Sequence, residues 1–391
     1  MSLNKLVLGA AVAAMVAMTG VAYAQDGPYK VLQTVKVGGD GGSDYITTDS
    51  ENRTLYIARS GQAGHIPVYS LDTFAQVGDI PGTSGHGGAV DDVTGHGFAT
   101  SKPVTMFDAK TFAVIKKIDV QGNPDGYLND PLYHRFYVLS HQAPNITVLD
   151  DKDGSILGTI DIGGAPEQAQ TDGRGHIYVD IEDKGAIAVI DGKTMTMTGK
   201  YDISSKSGGC AGLALDAKNN ILFAACRDKN DMVVLSATDG HIITDLPTGV
   251  GCDGAGFNPA TMEAFSAQGD GTLTVVKETS AGGKDLTAAN FAVEQTVTTP
   301  VRARTLAIDY KTGHILLITA EYGPVPAAAT PAVAAPPAPA AAAPPAPAVA
   351  AAPAAGAPGP GGPGGGGRPG GFRGPRAPMI PGSFSIVVVG K

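Results

Sequence analysis

Leu213-Ala214-Leu215-Asp216, with Phe223 seven residues beyond the aspartate, reads as a short apolar strand ending in Asp, a turn, and a second strand with an aromatic. The pattern recurs along the chain. Tyr45-Ile46-Thr47-Thr48-Asp49 pairs with Tyr56, and Tyr127-Leu128-Asn129-Asp130 with Tyr137. Phe257-Asn258 pairs with Phe265, and Leu306-Ala307-Ile308-Asp309 with Leu316. Asp91 with Phe98 and Asp172 with Tyr178 complete the set, the latter one residue shorter in its turn. Six units continue into a third strand, as at 66–69, 146–149 and 187–190, and a fourth follows, as at 113–120, 156–162 and 242–246.

The seven markers stand at 49, 91, 130, 172, 216, 258 and 309, spaced 42, 39, 42, 44, 42 and 51 residues apart. Four short strands recurring every 40–45 residues or so define an all-β seven-bladed β-propeller. Helical repeats of similar length would need apolar residues at 3.6-residue spacing. These segments instead alternate with period two, are rich in β-branched residues, and are broken by Gly, Asp and Asn. The seventh unit holds its first two strands at 305–309 and 314–319, and its third only at 384–389. The unmatched segment 30–37 alternates as a strand and is expected to supply the fourth, which removes the open edge of a circular array.

Only 17% of the 391 residues are charged and 6% aromatic; Gly (54) and Pro (28) are abundant and Trp is absent. Formal net charge is −9. Setting aside Lys5 in the leader and Arg368, Arg373 and Arg376 in the low-complexity tract leaves 24 basic against 37 acidic residues, about −13 for the repeats. Such a body is a poor partner for nucleic acid, whose binding rests on neutralising phosphates. Residues 1–24 read as a signal peptide: Lys5, an apolar run from Leu6 to Met18, and Ala22-Tyr23-Ala24 at the cleavage site. The run is too short to span a membrane, so a periplasmic or secreted monomer is expected after cleavage near Ala24. Residues 25–323 form the blades, 324–380 a Pro/Ala/Gly-rich insert, and 381–391 the strand that completes the last blade. An insert of that composition cannot bury a core and is expected to be disordered, either as a tolerated surface loop or as a tether.

Ile177-Tyr178-Val179-Asp180 followed by Ile187-Ala188-Val189-Ile190-Asp191 resembles the YVTN-repeat β-propeller pattern of YncE-like exported proteins. Phe136-Tyr137-Val138 with Ile146-Thr147-Val148-Leu149-Asp150, and Leu55-Tyr56-Ile57 with Ile66-Pro67-Val68-Tyr69, are similar. The resemblance covers about 30–323 and 383–391 and implies the WD40/YVTN-like fold and export. It assigns no function, because propellers host binding proteins and enzymes alike.

In a propeller the first strand of each blade lines the central channel, so the positions five residues before each marker form a ring at one mouth. They are Asp44, His86, Asp125, Glu167, Ala211, Asp253 and Arg304, six of them ionisable. The ends of the second strands add an outer set, Lys102, His141, Glu182, Arg227 and Glu321. Asp44, Asp125 and Asp253 also fit turn caps, His86 a hydrogen-bonded turn residue, and His141 an exposed loop residue. The other six histidines fall away from the ring. The mixed charge suits a small polar ligand, a protein partner or a divalent cation, bound without catalysis. The alternative is a metal-dependent lactonase or lyase at the same face, with His86 or His141 as acid or base. No EF-hand loop, zinc-protease helix, G-x-S-x-G, P-loop or C-x-x-C-H haem motif occurs. Of three cysteines, Cys210 and Cys226 would lie nearly opposite in an antiparallel pair. Cys252 is the competing partner of Cys210, and three reduced thiols are the third possibility.

Overall fold

The structure, a computed structural model, describes residues 27–61, 64–279, 286–324 and 377–391. The segment read as a signal peptide and residues 325–376 of the insert lie outside them.

The described chain forms seven four-stranded antiparallel sheets. The inner strands are Gly42–Asp49, Gly85–Asp91, Pro124–Asp130, Pro166–Thr171, Cys210–Asp216, Cys252–Asn258 and Leu306–Asp309. The recurrent marker has one local cause. In every blade its side-chain oxygen accepts a backbone N–H two or three residues on, at 2.7–3.2 Å, as Asp49 does from Asn52 and Asp216 from Lys218. Asp and Asn are short enough to close this turn. One or two residues further, each hairpin needs a left-handed residue: Gly95, Gly175 and Gly313 supply it freely and Asn220 and His134 tolerate it, whereas Arg53 and Met262 take positive φ against their side-chain preference.

Apolar strand faces pack between sheets. Phe98 stacks on Phe136 at 5.1 Å between the second and third blades, and Phe223 on Phe257 at 5.6 Å between the fifth and sixth. Toward the axis the blades converge, and at some positions they leave no room for a side chain. A Cβ on Gly126 would lie 2.2 Å from the Glu167 carbonyl oxygen, and one on Gly212 2.8 Å from the Ala255 nitrogen. That close approach accounts for the small residues around the channel.

The last blade runs Leu306–Asp309, His314–Thr319, Ser385–Gly390, Lys30–Lys36 from the axis outward. Lys30 lies opposite Gly390 and Lys36 opposite Ser385, so chain start and chain end share one sheet as expected. Pairing continues past the strand ends. Tyr322 bridges Met379, the Gly323 N–H donates to Pro378 O, and the Ile380 N–H donates to Glu321 O, both at 2.8 Å. Residues 378–380, grouped by composition with the insert, therefore pair with the chain just beyond the second strand of this blade.

Two arginines lock the seam between the last blade and the first. Arg59 is buried, its guanidinium 3.3 Å above the Phe384 ring, and it donates to the Asp40 carbonyl at 2.8 Å. That contact pins the loop from the closing strand into the first blade. Arg53 grips Asp309 with two parallel bonds of 2.6 and 2.8 Å. Burial pushes the Asp309 carboxyl up, but Arg53, the Thr312 hydroxyl and the Lys311 N–H outweigh it and take it from 3.8 to about 2. The stability this carboxylate contributes is complete above its unfolded pKa and is lost as pH falls through about 2. Arg53→Met leaves Asp309 buried without its partner and is expected to cost about 3 kcal/mol, read as a lower urea midpoint at pH 7. An unchanged midpoint would show that the seam is held elsewhere.

Candidate functional site

The residues at the start of the inner strands meet as a continuous ladder of acids and bases. His86 Nδ1 lies 2.6 Å from Asp44 Oδ2 and 3.1 Å from Asp125 Oδ1. His141 Nε2 lies 3.4 Å from Asp125 Oδ2 and 2.8 Å from Glu167 Oε2. Arg227 then spans Glu167 at 3.8 Å, Glu182 at 2.7 Å, and Asp253. Arg304 Nε pairs with Asp253 Oδ2 at 2.8 Å. The circuit returns to its start through the Thr305 hydroxyl, which donates to the Asp44 carbonyl at 2.8 Å.

All six ionisable ring positions thus join one network, together with His141, Glu182 and Arg227 of the outer set. Ala211 brings no polar group. Arg227, four residues past Phe223 in that same blade, fills its place and is fixed by a 2.7 Å bond from Nε to the Cys252 carbonyl. Cys210 and Cys226 are disulfide-bonded across aligned strand positions, which anchors the residue before Arg227. Cys252 is free and buried, its thiol pushed up to about 12 by burial and donating to the Ala225 carbonyl at 3.1 Å. Lys102 and Glu321 stand apart. The Lys102 ammonium donates to the Gly122 carbonyl, and the Glu321 backbone is paired with Ile380 and Ser383.

The ladder shifts its own protons. Burial disfavours the charged His86, yet the hydrogen bond to Asp44 and the fields of Asp125 and Glu167 raise its pKa above 6.5. The hydrogen bond to Glu167, opposed by burial and helped by Asp125, carries His141 to about 9. Burial lifts the Asp125 carboxyl, with Glu167 and Asp44 adding and the imidazoles opposing. These protons belong to the chain of groups rather than to single residues.

Two sets of three share Asp125: Asp44, His86 and Asp125, and Asp125, His141 and Glu167. Within each, the donor atoms lie within 4.8 Å of one another. Donors held about 2.1 Å from a transition metal are about 3 Å apart, close to the separations here, so both sets are geometrically able to hold a divalent cation. Asp125 offers one oxygen to each.

Beneath the ladder the channel is closed by residues that the ring reading did not single out. The Tyr45 hydroxyl donates to the Glu167 carbonyl at 3.3 Å, and its ring meets Tyr127 edge-on at 5.8 Å. Gln168 reaches across the axis, accepting from the Leu213 N–H at 2.8 Å and the Ala255 N–H at 3.1 Å. The axial cavity they line measures about 250 Å3. Their signal was position: Tyr45 and Gln168 directly follow the ring residues Asp44 and Glu167, and Tyr127 lies two residues past Asp125.

No family model matches the chain. It is 24% identical over 194 residues to a Salmonella typhi protein described as uncharacterized protein YncE, a match covering 47% of this chain and 54% of that one. The chain therefore spans about half the length of the curated relative it matches. Among solved structures it resembles the WD40 repeats of RRP9 with a TM-score of 0.62 at 11% identity, over 75% of this chain and 91% of that one. A chain of the mitotic checkpoint complex superposes with a TM-score of 0.60 at 12% identity, over 81% and 96%. The U3-55K structure gives 0.60 at 10%, over 75% and 91%. At such identities the likeness is one of fold, and the chain is a seven-bladed β-propeller similar at low identity to WD40 and YncE-type propeller proteins.

Proposed function

We propose that this chain is an exported propeller that holds a transition-metal ion at its channel mouth and presents it to a small polar ligand. Export to the periplasm or beyond the cell is supported by the charged start, apolar run and small-residue cleavage site of residues 1–24. The metal reading rests on one observation: Asp125 gives one oxygen to each of two histidine–carboxylate groups. Two imidazole nitrogens among carboxylate oxygens suit Zn2+ or a neighbouring first-row ion better than Ca2+ or Mg2+, which prefer oxygen alone. One ion fits either group, and a bridged pair fits both. A metal-dependent lactonase or lyase is the second reading. It is favoured by the count of three protein donors per group, which leaves coordination positions open as catalytic rather than structural sites do.

Calorimetric titration of the chelator-treated protein with Zn2+ tests the centre. Binding tighter than about 1 μM is expected, with one or two ions per chain, and Asp125→Asn is expected to weaken it about 100-fold. A wild-type Kd looser than about 1 mM sinks the proposal.

The metal-free protein carries a second expectation. The folded pKa of His141 is raised from 6.5 to about 9, so its contribution to stability is complete below 6.5 and is lost as pH rises through about 9. The Tm of the chelated protein should fall across that window, and His141→Gln should flatten the fall. Parallel Tm profiles for the two proteins would contradict the assignment.

A further inference from the structure

Past Asp253 the acid–base ladder ends at Arg304, and there a cleft of about 590 Å3 opens between the sixth, seventh and first blades. Its wall contains Ser43, Asp270, Arg302, Arg304 and Tyr322. Among the described residues Arg304 pairs through Nε with Asp253, and 51% of its side chain stays exposed. Arg302 makes no ion pair among the described residues. Its guanidinium lies 3.8 Å above the Tyr322 ring, which holds the planar group in place. Asp270 is already engaged, accepting the Val250 N–H and the Thr272 hydroxyl, each at 2.7 Å.

Arg302 also sits at φ 66°, where a glycine or asparagine would be at ease. Its N–H is tied to the Gly269 carbonyl at 2.9 Å, which fixes the backbone and therefore the direction of the side chain. An arginine kept at a strained position and given no acidic partner, in a protein of about −13 across its repeats, is available to an outside anion.

We propose that this cleft is an anion subsite that takes the carboxylate of a small organic acid. Arg304 is already set against Asp253 and Asp270 is engaged by its N–H and hydroxyl donors, so Arg302 is the cation left to meet a single carboxylate group. A guanidinium fork binds a carboxylate through two parallel bonds, and the Ser43 hydroxyl is at hand as a further donor. The Thr305 hydroxyl, beside Arg304, is bonded to the Asp44 carbonyl. The cleft therefore adjoins the first histidine–carboxylate group, and an acid bound by its carboxylate here would extend toward that group. The subsite uses none of the proposed metal ligands, so it goes beyond the metal reading and fails or stands separately from it.

The test is calorimetric titration of the full mature chain, after chelator treatment, with succinate and with inorganic phosphate. Succinate is expected to bind, and Arg302→Gln and Arg304→Gln are each expected to weaken it about tenfold or more. Arg302→Lys keeps the charge and a stem over Tyr322 but loses the fork, and is expected to weaken succinate too, which guards against a Gln variant that fails to fold. Asp125→Asn should leave succinate binding unchanged while weakening zinc about 100-fold, and wild-type protein that binds succinate but not zinc would sink only the metal reading. The subsite is overturned if wild-type protein binds no succinate, if it prefers phosphate, if folded arginine variants bind succinate as wild type does, or if Asp125→Asn abolishes succinate binding.

Discussion

Everything at the channel mouth depends on ring closure. Seven sheets leave one seam, and here a single strand, Ser385–Gly390, closes it by pairing with His314–Thr319 on one side and Lys30–Lys36 on the other. The seam needs more than strand pairing, because the adjoining blade must also be held. Arg53 and Arg59 do this from opposite ends of one strand, Thr54–Ser60 and its preceding turn. Arg53 neutralises the turn carboxylate of the last blade, and Arg59 covers Phe384 while binding the crossover loop. Asp44 and Arg304, the two ends of the acid–base ladder, lie on either side of this seam. Their separation is set by closure, and so is the geometry of everything between them.

The fold was legible because its grammar is local. A turn that requires a side-chain acceptor selects Asp or Asn at the marker, and a strand that follows a fixed turn keeps its register. Counting back from Asp49, Asp91 or Asp130 therefore lands on the same level of the channel in each blade, which is why Asp44, His86 and Asp125 align in the sequence as they do in the ring. The outer set was less legible. Its positions lie where strands dissolve into loops of differing length, so His141 and Arg227 turn inward while Lys102 is taken by a neighbouring carbonyl. Arg302 and Gln168 were illegible for another reason: their roles follow from partners 20 residues or more away in sequence, Tyr322 for one, Leu213 and Ala255 for the other.

The ladder is also an electrostatic problem that the protein alone does not finish. Asp44, Asp125, Glu167, Glu182 and Asp253 bring five negative charges, and Arg227 and Arg304 return two. Several of the carboxylates are buried, where repulsion is poorly screened. The raised pKa values of His86 and His141 are the response: each imidazolium that forms offsets one of these charges.

A divalent ion answers the same deficit differently. Placed in either histidine–carboxylate group, it brings two positive charges to the place where the imidazolium proton sits, and it requires that proton to leave, because only the neutral ring nitrogen coordinates. Proton and metal are thus alternative occupants of one hole in the charge distribution. The same reasoning explains why a free guanidinium lies outside the ladder rather than within it. Arg302, stacked on Tyr322 and making no ion pair among the described residues, keeps its charge unspent. If both proposals hold, the mouth has a sector for cations beside a sector for anions, and a ligand carrying both a metal-binding group and a carboxylate would satisfy the two at once.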